Sequence, residues 1–277
     1  MVLYKNGKVY LKIVYWGMGG SGKTTILKTL YKITKETKKD IIPIGELQII
    51  EKAGGATLYF DRGLFQSTKQ KKFFFRVYTV PGRKEFSPLR KKIFVKNYDQ
   101  TDAVILVVDS QTKFIEKNIE ALLELKNMAR NRLINEIPII VMLNKYDLDD
   151  VIKEEDFKLV LKENKLWYDQ EHELYIWNPI IYTSCAISEK QKDIYSSFHE
   201  CVLRTMDSHF YRNDDLPYPY IFKPPYPPDD LALAPRTQLR QPPKKKDIEE
   251  KIHCQYCGRE LTKEEQITHS CKKKPKN

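Results

Sequence analysis

Residues 17–24 read Gly-Met-Gly-Gly-Ser-Gly-Lys-Thr, directly after a β-branched and aromatic run from Val9 to Trp16 and at the start of a helical stretch, Lys23–Ile33. Glycine, four residues, glycine, lysine and then serine or threonine, set between a strand and a helix, is the pattern of a phosphate-binding P-loop. The chemistry dictates these residue types. Backbone N–H groups must close around phosphate oxygens, and glycines let the chain curl inward without Cβ clashes. The helix behind the loop turns its positive end toward the same oxygens. Gly17, Gly19, Gly20, Ser21, Gly22, Lys23, Thr24 and Thr25 are therefore the expected nucleotide contacts, with Lys23 reaching the β- and γ-phosphates and the Thr24 hydroxyl on Mg²⁺. Gly19 leaves room near the γ-phosphate for an incoming arginine.

The rest of the chain extends the βα pattern. Apolar strand candidates fall at Phe73–Val80, Ala103–Asp109, Ile137–Leu143 and Ile180–Ser184, with amphipathic stretches near Phe86–Tyr98, Lys113–Arg132, Lys153–Asn164 and Ser188–Phe210. Strands alternating with helices predict an α/β fold, a mostly parallel sheet covered by helices on both faces. Between Lys38 and Asp61, Pro43, Gly45, Gly54 and Gly55 interrupt the pattern, which predicts a long mobile loop. From Leu216 to Pro243 the chain is rich in proline and lacks periodicity, the composition of a stiff linker. The expected organisation is a nucleotide-binding domain over 1–212, a linker over 213–247 and a small C-terminal module over 248–277.

A P-loop alone does not separate a GTPase from an ATPase or a nucleoside kinase. Asn144-Lys145-Tyr146-Asp147, after the apolar strand ending at Leu143, resembles the Asn-Lys-x-Asp motif of Ras-like GTPases. In those proteins the aspartate pairs bidentately with the guanine amide and amino groups, and adenine has its donors and acceptors exchanged. Thr183-Ser184-Cys185-Ala186 is similar to the Ser-Ala-Lys loop of the same superfamily, which implies that Ser184, Cys185 and Ala186 border the base, with the Cys185 N–H offered to it.

The resemblance extends to the MglA-type branch of prokaryotic Ras-like small GTPases. Thr57-Leu58-Tyr59-Phe60-Asp61, Tyr78-Thr79-Val80-Pro81-Gly82 and the strand Val104–Val108 running into Asp109-Ser110 carry it, and it covers about residues 8–210. It implies switch loops around Ile41–Asp61 and Gly82–Pro88, with Thr57 as the switch threonine that senses the γ-phosphate and Mg²⁺ and Gly82 beside the phosphate. Most Ras-like proteins carry Asp-x-x-Gly in the second segment; Thr79 takes the place of that aspartate, as is typical of the MglA-type branch. A Roadblock-type activating partner is also implied by the resemblance. Two usual aids to hydrolysis are missing. Arg83 follows Pro81-Gly82 where the family has a glutamine, and Ala56 stands where the branch tends to carry a cis-acting arginine. A guanidinium on the γ-phosphate is worth roughly 10³–10⁵ in rate, so Arg83 or Arg62 is a candidate relocated arginine finger.

Three of the five cysteines lie in the last stretch: Cys254-x-x-Cys257, eleven residues, then His269-x-Cys271. Two thiolates on a tight turn, with an imidazole and a third thiolate behind them, suit tetrahedral Zn²⁺ and leave no open position, so the expected site is structural. His253 is a substitute ligand. This cysteine usage does not resemble a secreted disulfide framework. With no signal-like leader and no apolar run of membrane-spanning length, it predicts a soluble cytoplasmic protein. The formal charge of +11 and the lysine runs at Lys244–Lys246 and Lys272–Lys274 suit loose contact with nucleic acid or an anionic membrane.

Taken together, these features predict a GTP/GDP switch that hydrolyses GTP with Mg²⁺ and partner assistance. The alternatives are a GTP-binding scaffold with little hydrolysis, a P-loop kinase or ATPase, and a nucleic-acid-binding regulator using the zinc module.

Overall fold

The computed structural model describes residues 3–49, 61–82, 86–94, 100–187, 191–210, 252–253 and 260–261. The chain divides into two units, Met1–Phe222 and Lys223–Asn277. The first is built on an eight-stranded sheet. Its strands are β1 (Leu3–Lys5), β2 (Lys8–Trp16), β3 (Ile41–Gln48), β4 (Arg62–Ser67), β5 (Phe73–Thr79), β6 (Ala103–Asp109), β7 (Ile139–Asn144) and β8 (Ile180–Ser184). They lie in the order β3-β4-β5-β2-β6-β7-β8. From β5 to β8 every pairing is parallel. The pairs β3–β4 and β4–β5 are antiparallel, and β1 folds back on the first residues of β2.

The parallel strands are apolar on both faces because helices cover both. On β2, Leu11, Ile13 and Tyr15 point into one core with Ile26, Leu27 and Leu30 of α1 (Lys23–Glu36) and Phe198, Cys201 and Val202 of α5 (Ile194–Phe210). Val14 and Trp16, one residue out of phase, enter the opposite core with Ile93 of α2 (Ser87–Ile93), Leu122 and Leu125 of α3 (Ile115–Met128), and Phe157 and Leu161 of α4 (Glu154–Glu163). The indole N–H of Trp16 donates to the Ala121 carbonyl at 2.9 Å, so this buried ring loses no hydrogen bond. Each fully buried aromatic or aliphatic side chain contributes about 1.5–3 kcal/mol.

The expected loop from Lys38 to Asp61 is corrected in its first part, where β3 forms. Pro43 lacks an N–H, and Gly45 takes φ 70° where the register with β4 shifts, so both read as breaks in the sequence. An edge strand tolerates such residues because one side of its ladder is unpaired. The adjoining β4 was also missed: its inward positions are Gly63, Phe65 and Ser67, and only one of them is a large apolar residue. In the second unit, β9 (Ile252–His253) and β10 (Glu260–Leu261) pair antiparallel and flank Cys254 and Cys257 in the sequence. No helix among the described residues is long and apolar enough to cross a membrane.

Candidate functional site

The C-terminal ends of β2, β6, β7 and β8 meet where the loops bearing the three motifs leave the sheet. Between β2 and α1, the loop is forced into its curl by close approaches. Gly17 has φ 151°, and a Cβ there would lie 2.1 Å from the Val107 carbonyl oxygen of β6. Gly22, at φ 96°, is the N-cap of α1 and supplies no side-chain cap. The first-turn N–H groups of α1 are therefore not closed off by a cap, as an anion site requires.

Lys23 is buried, and its ammonium donates to the carbonyls of Gly17 at 2.9 Å and Met18 at 2.8 Å and to Ser21 Oγ at 3.4 Å. Burial, reinforced by the nearby Arg90 guanidinium and opposed by Asp61, lowers its pKa to about 7. In chemical terms the lysine is held in place by the loop, with a charge that an arriving phosphate would stabilise.

The second motif is coupled to the first. Asn144 Nδ2 donates to the Ser21 carbonyl at 2.8 Å, bracing the P-loop from behind. Lys145 takes φ 64° and sets its ammonium 2.5 Å from the buried Asp109 carboxylate at the end of β6. Asp109 is itself fixed by Asn118 of α3, which accepts its N–H at 3.1 Å and donates to its carbonyl at 2.8 Å. Asp147 is half-buried at the rim. The third loop joins through Tyr146 N–H on the Ser184 carbonyl at 3.1 Å and Thr29 Oγ1 of α1 on the Ala186 carbonyl at 2.8 Å. Ser184, Cys185 and Ala186 are all buried there.

Gly82 lies against the P-loop, where a Cβ would come within 2.2 Å of the Gly19 nitrogen and 2.4 Å of the Met18 carbonyl carbon. The buried Arg90 holds this segment: one Nη donates to the Pro81 carbonyl at 2.7 Å and the other reaches both Glu124 oxygens at 2.6 Å. Thr24 Oγ1 donates to Asp61 Oδ2 at 2.6 Å, and Thr79 Oγ1 donates to the same oxygen at 2.8 Å. Thr24 and Asp61 form an oxygen-only donor set, which suits a hard divalent cation such as Mg²⁺. Sequence reasoning missed Asp61, Arg90 and Glu124 as site residues. Of the two candidate arginines, Arg62 donates to Gln48 on β3, and strand alternation turns it to the face opposite Asp61. Thr57, Arg83, Cys254, Cys257, His269 and Cys271 lie outside the described residues.

Sequence comparison reaches most of this unit: the signature of the ADP-ribosylation factor family matches residues 2–198. This chain belongs to the ADP-ribosylation factor family. It is accordingly a small GTPase, a GTP-binding switch by type. The mutual gliding-motility protein MglA of Myxococcus xanthus (strain DK1622) is 33% identical over 171 residues, spanning 59% of this chain and 81% of that protein. ADP-ribosylation factor-like protein 3 of Chlamydomonas reinhardtii is 28% identical over 137 residues, 50% of this chain and 63% of its own. Among solved structures, the Arl6 BBS3 small GTPase of Trypanosoma brucei with bound GppNp is 20% identical, with a TM-score of 0.47, covering 72% of this chain and 99% of that one.

For this family member the lowered pKa of Lys23 has a measurable consequence. Bound phosphates would return Lys23 toward its ordinary 10.5, so between about pH 7 and 10.5 the complex holds a proton that the empty site lacks. Nucleotide affinity is therefore expected to fall as pH rises through that window, by up to about tenfold per unit. Above pH 8, phosphate ionisation is essentially complete and does not mask the effect. Calorimetry of GDP binding at pH 8.5 in buffers of different ionisation enthalpy should register proton uptake. No uptake would mean that Lys23 is charged in the empty site.

Proposed function

We propose that this chain is a Mg²⁺-dependent GTP/GDP switch whose hydrolysis of GTP is slow alone and is accelerated by a partner. The observation that carries the reading is the hydrogen bond from Asn144 to the Ser21 carbonyl, which joins the loop after β7 to the loop between β2 and α1, as one site for guanine and phosphates would need. Lys23 would neutralise the β- and γ-phosphates, and the N–H groups from Gly19 to Thr24 would hold their oxygens. Asp147 would read the guanine edge, with Cys185 N–H and Ala186 closing the other side. Thr24 and Thr57 would hold Mg²⁺, which when bound supplies neutralisation of the charge that develops on the phosphate oxygens. Gly82, set against Gly19, would sense the terminal phosphate, and Arg90 would carry its displacement to Glu124 on α3.

The chain lacks the glutamine that usually orients the attacking water, and Arg83 occupies that position. We assign Arg83 the role of a cis-acting guanidinium on the γ-phosphate. Single-turnover hydrolysis by purified protein with Mg²⁺ tests this: Arg83→Ala is expected to slow the step by about 10³-fold with nucleotide affinity retained. An unchanged rate would remove Arg83 from catalysis. Tight binding with no turnover in the unmodified chain would favour the second reading, a GTP-binding scaffold, which the missing glutamine supports. The likeness to MglA supports a Roadblock-type activating partner.

The C-terminal module is proposed to bind one structural Zn²⁺ through Cys254, Cys257, His269 and Cys271, and it is a candidate docking element. The β9–β10 pairing supports this, since the two strands pair antiparallel and flank the first cysteine pair in the sequence. Elemental analysis of untagged protein should find one zinc per chain, and a value well below one would refute the site. Contact of the basic tail with nucleic acid or an anionic membrane remains part of the proposal. Its signature would be binding that weakens steeply with salt and is lost on truncation after Pro243.

A further inference from the structure

Shortly beyond α5 the sequence runs through seven successive uncharged residues, Leu216-Pro217-Tyr218-Pro219-Tyr220-Ile221-Phe222, in a chain that is 31% charged. Three of the seven are aromatic. So apolar a run calls for a surface to cover it. Its prolines favour polyproline II, a conformation that aromatic-lined grooves recognise. Every third side chain of such a helix shares an edge, which groups Leu216, Pro219 and Phe222. These residues lie outside the described parts of the chain.

The first unit carries a groove of matching character. Lys158, Leu159 and Lys162 on the outer face of α4, with Trp167, Tyr168 and Tyr175 of the loop before β8, surround a volume of about 420 Å³. That size falls within the range of about 300–1,000 Å³ usual for sites that enclose a ligand. Leu159 is 59% exposed and Tyr175 39%, whereas Phe157, Leu161 and Trp177 fill the core beneath them. The aromatic wall is held in shape without an occupant. Asn178 accepts the Tyr168 N–H and donates to the Tyr168 carbonyl, both at 2.8 Å. The Lys158 ammonium lies 4.8 Å from the centre of the Trp167 ring. The charges of the groove offset one another: Lys158 faces Glu155 at 3.8 Å and Lys162 faces Asp169 at 2.9 Å. Two cations and two carboxylates leave no net charge, which suits an uncharged occupant better than an acidic or basic one.

Helix α5 brings the chain to this place. Arg204 donates to the carbonyls of Trp177 at 3.4 Å and of Asn178 at 2.7 Å, and Asn178 is the residue that holds Tyr168. From Arg204 to the last residue of α5, Phe210, is roughly 9 Å along the helix axis. The six steps from Phe210 to Leu216 span up to roughly 20 Å when extended, so the chain is long enough to return to the loop that Arg204 touches.

We propose that residues 216–222 dock in the groove between α4 and the loop before β8, with the prolines packed on Trp167 and Tyr168. The groove anchors the chain that follows α5 to the unit it leaves. This role is separate from the nucleotide reading, because none of the groove residues belongs to the loops that carry the phosphate and guanine motifs.

The test uses the full-length chain. Chymotrypsin cuts after Tyr220 and Phe222, and where docking and undocking are fast the cutting rate follows the undocked fraction. Leu159→Glu, at an exposed position that leaves both cores intact, should raise that rate at least about tenfold, and Trp167→Ala should do the same. From the other side of the contact, Tyr218→Ser should increase acrylamide quenching of Trp167, the half-buried tryptophan beside the buried Trp16 and Trp177. A synthetic peptide of residues 216–222 should restore protection in that variant. If Trp167→Ala does not fold, Leu159→Glu and the quenching measurement decide. Equal cutting of the unmodified and Leu159→Glu chains, or quenching unchanged by Tyr218→Ser, would overturn the assignment. Cutting that accelerates on dilution would give the groove to the segment of a second copy and would overturn docking within one chain.

Discussion

Asp147→Asn is expected to lower GTP affinity by at least about 100-fold and to transfer the preference to xanthosine triphosphate. A carboxylate is acceptor-only and can take the two adjacent N–H donors that guanine presents. Asparagine offers one acceptor and one donor, so its amide N–H₂ would face a guanine donor across a partly desolvated rim. Xanthine has a carbonyl at that place and completes the pair. The scaffold around Asp147 should survive the change, because Asn144 and Lys145, which brace the P-loop and the end of β6, are untouched. Competition binding with GTP, ATP and xanthosine triphosphate checks this. An Asp147→Asn chain that kept its preference for GTP would show that Asp147 does not read the base, and an ATP-binding enzyme would not gain xanthosine nucleotide at all.

Gly17→Ala is expected to abolish nucleotide binding and to destabilise the first unit by about 3 kcal/mol or more. Two causes act together. The φ of 151° at Gly17 is one that side chains rarely adopt, and the added methyl would meet the Val107 carbonyl oxygen at 2.1 Å. Val107 lies in the middle of β6, paired with Met142 of β7 and fully buried, so it cannot retreat without disturbing the central sheet. The loop must move instead. That would withdraw the Gly17 and Met18 carbonyls from Lys23 and loosen the cradle. Thermal unfolding and mant-GDP binding measure the two effects separately. Gly20→Ala is the control: a Cβ there meets nothing within 4 Å, although φ 83° still costs some strain.

The motifs that were legible in the sequence are those whose chemistry needs contiguous residues. A phosphate cradle must be built from neighbouring N–H groups, and Asn144, Lys145 and Asp147 must leave one strand end together, so spacing alone reveals them. The parallel core strands were equally plain, because burial on both faces writes them as unbroken apolar runs such as Ala103–Asp109. What the sequence concealed depends on pairing across the fold. Asp61 and Thr79 are eighteen residues apart and meet only through the β4–β5 register. Arg90 and Glu124 are thirty-four apart and meet only when α2 lies against α3. β3 was hidden because an edge strand accommodates Pro43 and Gly45, residues that would end a central strand. The roles read for Thr57, Arg83 and the zinc ligands rest on the sequence, since those residues lie outside the described parts of the chain.

The central claim is that one site selects guanine and holds its phosphates, and equilibrium displacement of mant-GTP from the unmodified chain in the presence of Mg²⁺ tests it most directly. The account predicts that stoichiometric GTP or GDP displaces the probe while millimolar ATP does not. Displacement by ATP as readily as by GTP, or no binding of mant-GTP at all, would contradict it.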